Sequence, residues 1–463
     1  MERNRLLIYF AILAIGFIIS FYTIRTHFDV KTIATLLFFL IFIPTIINPD
    51  IGLIIIIISM LFSPELIIGA TVHREITIRT EDIFLLVIIF AWFVRTAFTK
   101  DIVKVFKTKL TLPFFSYIAI CIISTIFSVI FGGEISLAHS FFSILKYFEY
   151  FLLFFMVKDS LKSLRQSKIF IIIFLLTALI VAIYSNVFIG QQIASGSTFF
   201  RTSPPIERKE AAGEAGTLGG YFLFIMCIIG GLLLYTRSMP LRIILFCMIL
   251  LMFRGFLYSL SRGSYLAFIP GIITLVYFTK KGKLILTFIL IAGSVLLAVF
   301  MPKMVRDRIV TTMVVSKDME GLHIEWEESP RDRLDSWKMV LFERFPKSPL
   351  FGYGVGKYFI DSQIFRTLCE VGLVGLILFI WIFVRLFKMV KDVLDVDLVK
   401  NDRFSIGLTV GFLAGFVGLM VHAISTNTFI IIRIMEPFWF IAAIVLSLPD
   451  LLMEEKGTLE KVT

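Results

Sequence analysis

Five arginines stand in or beside the polar segments that separate long apolar runs: Arg201, Arg208, Arg262, Arg331 and Arg333. The guanidinium group is planar and always charged, and its paired N–H donors match the oxygens of a phosphate. Several such groups on one face of a membrane would bind a lipid-linked diphosphate. The alternative is that neighbouring acids neutralise them. These acids are Glu207, Glu210, Asp332 and Asp335.

Three pairs of ionisable residues lie within apolar runs at the spacing of helical neighbours. They are Lys146 with Glu149, Arg366 with Glu370, and Arg433 with Glu436. Ionisable groups inside a membrane are costly, so they either pair with one another or have a function. We expect charge pairing for the first and last pairs and a function for the middle pair. A further ionisable residue, His422, is expected to be a polar residue at a helix interface.

The amino-acid composition indicates the class of protein to which these residues belong. Of the 463 residues, 58% are hydrophobic and 17% are charged, whereas soluble domains are about 45–50% apolar and about 25% charged. This composition excludes a soluble globule and a disordered chain. Four cysteines in so long a chain exclude a disulfide scaffold, and their spacing predicts no metal site. A polytopic membrane protein remains.

The apolar runs predict an all-α protein with twelve to fourteen transmembrane helices, because each spanning helix needs roughly 17–25 mostly apolar residues. Asn48-Pro49-Asp50 separates the second candidate from the third, and Ser261–Ser264 separates the ninth from the tenth, so each pair is two short helices or one broken helix. The candidates are residues 6–23, 32–48, 51–69, 82–98, 110–131, 141–157, 168–189, 217–235, 241–260, 264–279, 284–301, 364–386, 404–424 and 428–448.

The distribution of Lys and Arg predicts the orientation, because these residues concentrate in cytoplasmic loops. Their alternation places both termini in the cytoplasm and accounts for the net charge of +11 without a nucleic-acid partner. The large outside loop is expected to carry short amphipathic helices, one of them near Trp337. The predicted segments are amino-terminal spans in 1–189, an outside loop in 190–216, central spans in 217–301, the large outside loop in 302–363, carboxyl-terminal spans in 364–448 and a cytoplasmic tail in 449–463.

Three glycines in the large loop alternate with other residues: Gly352, Gly354 and Gly356. As a nucleotide-binding motif the pattern is incomplete, because no strand precedes it and no Gly-Lys-Ser follows it. Glycine also permits tight turns that other residues disfavour. By itself, the pattern predicts a turn that returns the chain to the membrane.

The block 331–379 resembles the carboxyl-terminal homology block of the O-antigen ligase and polymerase family. That block has an Arg, then a Trp, then Pro-Leu-x-Gly-x-Gly, and then a helix rich in Leu and Gly that begins around a Glu. Ser261-Arg262-Gly263 resembles the Ser-Arg-Gly that follows a mid-chain span in the family. The matching residues of the block are Arg333, Trp337, Pro349, Leu350, Gly352, Gly354, Gly356, Leu368, Glu370, Gly372, Leu373 and Gly375.

One position departs from the pattern of the ligases. Lipopolysaccharide ligases carry His-Asn at the start of the last helix of the block, whereas this chain has Asp361 followed by Ser362. Polymerase-like members often have a carboxylate there, so the resemblance favours a polymerase over a ligase. Asp361 would be either a general base for the acceptor hydroxyl or the N-cap of the following helix.

The resemblance implies a GT-C-like glycosyltransferase of the cell membrane with an extracytoplasmic active site. It would move a glycan from a polyprenyl-diphosphate-linked oligosaccharide donor to a glycan or glycolipid acceptor, with no metal or other cofactor. Asp361, Arg262 and Arg333 would carry the reaction. The implied diphosphate contacts are Arg201, Arg208, Arg262, Arg331 and Arg333. The implied supporting residues are Glu370, Arg366, Gly352, Gly354 and Gly356.

Three other kinds of membrane protein stay open. A peptidoglycan polymerase of the shape, elongation, division and sporulation type would share the lipid carrier and the need for positive charge, but its motifs are not recognised in this sequence. A secondary transporter or a lipid-glycan flippase would share the spans and the sparse intramembrane charges. A transporter would not need a long outside loop with clustered arginines, and a flippase would need a large polar cavity. The product separates the transporter and the flippase from a transferase, because transport leaves the bond between glycan and diphosphate intact whereas transfer breaks it.

Overall fold

The protein is an all-α polytopic membrane protein, with two short β-hairpins between helices in the part of the chain that the structure describes. Eight helices within that part are long and apolar enough to cross a membrane. The predicted spans at 6–23 and 284–301 lie outside it, so the total of twelve to fourteen stays a prediction. The structure, a computed structural model, describes residues 30–71, 74–99, 102–131, 135–197, 199–206, 215–279, 302–310, 313–318, 321–326 and 328–460.

The amino-terminal part begins with two helices that the sequence left open as one or two. Asn48 ends the first and caps the second, where its side chain accepts a hydrogen bond from the Asp50 N–H at 3.1 Å. The predicted span 51–69 is wrong at its carboxyl end, because Pro64 disfavours helix at the preceding residue. The elements are α1 (Val30–Ile47), α2 (Pro49–Phe62), the antiparallel strands β1 (Glu65–Thr71) and β2 (Arg74–Arg79), α3 (Thr80–Thr99) and α4 (Ile102–Val105).

The middle of the chain is a succession of long helices. The ninth and tenth predicted spans are separate helices, joined by a turn at Tyr258–Ser261. The elements are α5 (Thr111–Ile130), α6 (Leu137–Ser160), α7 (Leu164–Ala194), α8 (Ala215–Tyr235), α9 (Met239–Leu257) and α10 (Arg262–Phe278).

The carboxyl-terminal part contains the large loop and the last spans. The predicted amphipathic helix near Trp337 is the end of α12 with a π-helical turn, Met339–Arg344, and a 3-10 turn, Phe345–Lys347. The loop also contains a hairpin that the sequence did not indicate. The elements are α11 (Lys303–Val310), β3 (Met313–Asp318), β4 (Gly321–Trp326), α12 (Glu328–Lys338), α13 (Gln363–Asp395), α14 (Asp397–Asn401), α15 (Arg403–Ser425), a 3-10 turn (Thr428–Ile430) and α16 (Ile432–Glu460).

A stripe of glycines on α15 lets this helix approach α8 closely. Gly407, Gly411 and Gly415 recur at every fourth position, and a Cβ at Gly411 would lie 2.7 Å from the Ile228 Cα. Small residues permit such close crossings of membrane helices. At one end of this crossing lies His422, the residue that borders the candidate site described below.

Hydrogen bonds between connecting segments show which of these segments lie at the same end of the helical bundle. At the end predicted to be cytoplasmic, Gln166 Nε2 donates to Asp50 Oδ1 at 2.6 Å. At the end predicted to be outside, Ser140 Oγ donates to the Val355 carbonyl at 2.7 Å. Each contact joins two segments that the charge distribution assigns to the same side. The predicted alternation is therefore self-consistent, and which end faces the cytoplasm stays a prediction.

A cysteine in place of Lys317, in β3, should react with a membrane-impermeant thiol reagent in intact cells, because the large loop is predicted to be outside. The variant needs a Cys247→Ser background, since Cys247 is exposed whereas the other three cysteines are buried. Lys391→Cys, at the predicted cytoplasmic end of α13, is the matched control and should react only after permeabilisation. Labelling of the Lys317→Cys protein only in lysed cells would contradict the orientation.

Candidate active site

An arginine and a carboxylate that the sequence singled out lie side by side where α13 begins. Arg333 Nε, from α12, is 3.6 Å from Asp361 Oδ2. This is an ion pair longer than a hydrogen bond, and the side chains are 32% and 41% exposed. Both groups can therefore meet a polar substrate while they remain close to each other.

Trp337 fixes the backbone on which this pair depends. Its Nε1 donates to the Asp361 carbonyl at 3.2 Å, and its ring stacks on Phe365 with the centroids 4.9 Å apart. Because Trp337 lies one helical turn after Arg333 in α12, the two contacts hold α12 against the start of α13. The spacing of Arg333 and Trp337 thus has a structural reason.

Ser362, rather than Asp361, occupies the N-cap position of α13. The Arg366 N–H donates to the Ser362 carbonyl at 2.9 Å, as the first turn of the helix requires. The Asp361 carboxylate faces Arg333 instead. Capping is therefore not the role of this side chain in the described structure.

Arg262 is the first residue of α10, directly after a cap made by its neighbours. Ser261 Oγ accepts a hydrogen bond from the Ser264 N–H at 3.3 Å. The preceding residue, Leu260, has a φ of 53°, a left-handed conformation that is uncommon for a residue other than glycine. The turn between α9 and α10 is thus tightly specified, and it places Arg262 at the positive end of a helix dipole.

Two further arginines lie near this turn. Thr202 ties the segment 199–206 to the end of α9, because its N–H donates to the Tyr258 carbonyl at 2.9 Å. Next to it, burial lowers the pKa of Arg201, and the positive charge of Arg308 acts in the same direction. Two neighbouring cations of this kind favour an anionic ligand. Of the other predicted arginines, Arg331 is exposed, and Arg208 lies outside the described residues.

The glycine-rich segment is hydrogen-bonded to α13 around Gly372, where the helix is interrupted by one residue with non-helical backbone angles. The Gly354 N–H donates to the Glu370 carbonyl at 2.9 Å, and the Leu373 N–H donates to the Pro349 carbonyl at 2.8 Å. A Cβ at Gly372 would lie 2.3 Å from the Leu350 carbonyl oxygen. Only glycine tolerates both the approach and the backbone conformation. In this segment and at the interruption, φ lies between 66° and 89° at Gly352, Gly354, Gly356 and Gly372.

The buried ion pair of α13, Arg366 with Glu370, also contacts the glycine-rich segment. Arg366 Nε is 2.8 Å from Glu370 Oε1, and the same oxygen accepts a hydrogen bond from the Gly356 N–H at 2.9 Å. Both side chains are buried. Glu370 therefore orients Arg366 and the glycine loop, in keeping with the supporting role that the resemblance implies.

The other two predicted charge pairs belong to a separate buried group. Glu149 and Glu436 lie within electrostatic range of Glu81 and Asp82, so that acids from α3, α6 and α16 meet inside the bundle. Among the described side chains, Lys146 forms no ion pair with Glu149, although it lies within electrostatic range. The ion pair that was expected between Lys146 and Glu149 is therefore not formed, and Glu149 lies instead within electrostatic range of acids from another helix.

Several polar residues at the site were not identified from the sequence as a group. His422 of α15 is hydrogen-bonded to Ser264 of α10 and to Thr428 of the 3-10 turn, and the backbone N–H of Phe429, the residue after Thr428, donates to Gln363 Oε1 at the start of α13. Their separation along the chain leaves no local pattern. Arg308 was seen only as one charge among many. In the described part of the chain, no three His, Cys, Asp or Glu side chains are grouped as metal ligands.

These features define a multi-pass membrane protein with a polar site at one end of its bundle. Residues 247–380 match the family model described as O-antigen ligase, and this match supports the O-antigen ligase and polymerase family for the chain. The matched segment contains Arg262, Arg333 and Asp361. No curated protein matches the chain significantly. For the matched segment, the description of the family suggests membrane glycan transfer of the ligase or polymerase type.

Proposed function

We propose that this protein transfers a glycan from a polyprenyl diphosphate carrier to an acceptor hydroxyl at the extracytoplasmic face, in the manner of a polysaccharide polymerase. The observation that carries the proposal is the 3.6 Å contact between Arg333 and Asp361 at the start of α13. It brings a group suited to the leaving diphosphate next to a group suited to the attacking hydroxyl.

The arginines answer the main electrostatic demand of the reaction. When the bond between the anomeric carbon and the phosphate oxygen breaks, the diphosphate leaves with the electron pair and gains negative charge. Arg333 and Arg262 stabilise that charge through N–H donors that are held in place before the reaction. Arg201, with Arg308 beside it, extends the positive surface towards the remaining phosphate oxygens.

Asp361 takes the proton in this proposal. Its carboxylate accepts the proton of the acceptor hydroxyl while the acceptor oxygen bonds to the anomeric carbon. Arg333 keeps the carboxylate near the leaving group. This geometry couples proton removal to departure of the diphosphate.

The resemblance favours a polymerase, because polymerase-like members often have a carboxylate at the position of Asp361, and the acceptor would then be a growing glycan. The second candidate is a ligase that joins the glycan to a lipid A core or another glycolipid, and the match to a family described as O-antigen ligase favours it. The two candidates share the donor and the proposed residues, and they differ only in the acceptor.

The test uses the purified protein in liposomes with a polyprenyl-diphosphate-linked oligosaccharide. The expected products are free polyprenyl diphosphate and a lengthened glycan. A lipid A core added as acceptor would instead be glycosylated by a ligase. Movement of the donor across the bilayer with its glycan–diphosphate bond intact would contradict the proposal and favour a flippase.

A further inference from the structure

A buried histidine connects the two parts of the candidate site. His422, in the last turn of α15, is fully buried. Its Nε2 lies 3.0 Å from Ser264 Oγ, and its Nδ1 lies 2.8 Å from Thr428 Oγ1. Because both ring nitrogens have hydroxyl partners, the orientation of the ring is fixed.

The first connection leads to Arg262. Ser264 Oγ donates to Ser261 Oγ at 2.7 Å, and Ser261 is the cap residue directly before Arg262. A hydroxyl has only one proton to donate, so Ser264 must accept from His422 Nε2–H. Thr428 Oγ1 lies 2.8 Å from Nδ1 and 3.4 Å from the Thr426 carbonyl, so the shorter contact favours a neutral ring that receives the Thr428 proton at Nδ1.

The second connection leads to Asp361. Thr428 begins the 3-10 turn that follows α15, and the next N–H, of Phe429, donates to Gln363 Oε1 at 3.1 Å. Gln363 is the first residue of α13, two positions after Asp361. The imidazole therefore links the segment that bears Arg262 to the segment that bears Asp361.

Backbones of neighbouring helices approach the ring and its partners closely. A Cβ at Gly220 in α8 would lie 3.0 Å from His422 Cε1, and a Cβ at Gly219 would lie 2.3 Å from Ser264 Oγ. A Cβ at Gly263 would lie 2.1 Å from Ser425 Oγ. Three helices therefore meet here without spare space, and a shift of the ring would move them.

We propose that His422 is a positioning residue for glycan transfer, which sets Arg262 relative to Asp361 without touching the substrate. The inference rests on the proposed function. Displacement of a reacting group by about 1 Å can cost about 10²-fold in rate. A single ring that controls two segments can therefore control the rate.

The first measurement compares His422→Phe with His422→Gln in the liposome assay. Phe retains a ring but lacks both nitrogens, and we expect kcat to fall by about 10- to 100-fold while the donor KM changes little. Gln can hydrogen-bond to Ser264 and should restore part of the loss. A Phe variant with normal kcat and unchanged Tm would overturn the inference.

The second measurement tests whether both connections act through the ring. Ser264→Ala and Thr428→Val should each lower kcat in the wild-type background, but they should add little to His422→Phe, because that change has already broken both connections. Thr409→Val is the matched control in the same helix, because its buried hydroxyl donates to the Ser405 carbonyl of α15 at 2.7 Å, and it should be neutral. If Ser264→Ala and Thr428→Val lower kcat by the same factor in both backgrounds, the inference is overturned. This comparison is valid even where His422→Phe by itself reduces folding, because both rates are taken relative to the same background.

The outcomes also separate this inference from the proposed function. Full activity of Arg262→Ala would refute the role proposed for that arginine. It would thereby also refute the proposal that His422 acts by positioning Arg262 relative to Asp361. An inactive Arg262→Ala protein together with a fully active His422→Phe protein would refute only the positioning role.

Discussion

Arg333→Ala should lower the rate of glycan transfer by about 10²–10³-fold, the usual loss when one donor to a developing negative charge is removed. Arg262→Ala should have an effect of the same order. Lysine at either position should restore little, because a point charge lacks the paired donors of guanidinium. The measurement is the initial rate with purified lipid-linked donor in liposomes, together with Tm.

Stability should change little in Arg333→Ala, so the loss is attributable to the reaction. The Asp361 side chain that remains is 41% exposed and stays hydrated. Lys338→Ala is the matched control, since Lys338 lies in the same helix, is exposed and pairs with Asp335 at 3.3 Å. If both arginine variants and the control retain near-normal rates, the assignment of the diphosphate site is wrong.

Asp361→Asn should lower the transfer rate by about 10²–10⁴-fold, because the amide has the shape of the carboxylate but cannot accept the proton of the acceptor hydroxyl. The start of α13 should be preserved, because Ser362 occupies the cap position. Tm should therefore match the wild type. The decisive readout is the rate of glycan extension at saturating donor and acceptor.

Asp335→Asn is the control for this change, because it removes an exposed carboxylate of α12 that pairs with Lys338. Activity of Asp361→Asn within a few-fold of the wild type would exclude proton transfer by this residue. Asp361→His then tests whether the base found in ligases can replace the carboxylate. The double variant with Arg333→Ala should lose less than the product of the single losses, because the two groups are in contact.

The helices were predictable because apolar length is a local property of the sequence. The breaks between helices were less so. Pro64 ends α2 earlier than hydropathy indicates, and Gly372 interrupts α13 within an apolar run where no local signal marks a break. That interruption is stable because Leu350 and its neighbours supply backbone partners from a distant loop.

The site was predictable in its residue types but not in its arrangement. Arg333 and Asp361 were named from motifs, while their contact depends on Trp337, which holds α12 to α13. Whether Asp361 is a base or an N-cap depends on the exact residue at which α13 begins. The sequence does not fix that residue, because Asp and Ser are both good cap residues and helix limits vary by about one or two residues. His422 has no neighbour in sequence that reveals its partners.

The buried acids have a consequence for the order in which the chain is made. Glu81 and Glu149 belong to helices synthesised early. Arg433, whose charge acts on Glu81, and Glu436, which lies within electrostatic range of both acids, belong to α16, far later in the chain. Until α16 enters the bilayer, the nascent amino-terminal helices present ionisable groups to lipid, where their exposure is costly. Insertion of α16 is thus the step that brings the positive charge of Arg433 to the acid of α3.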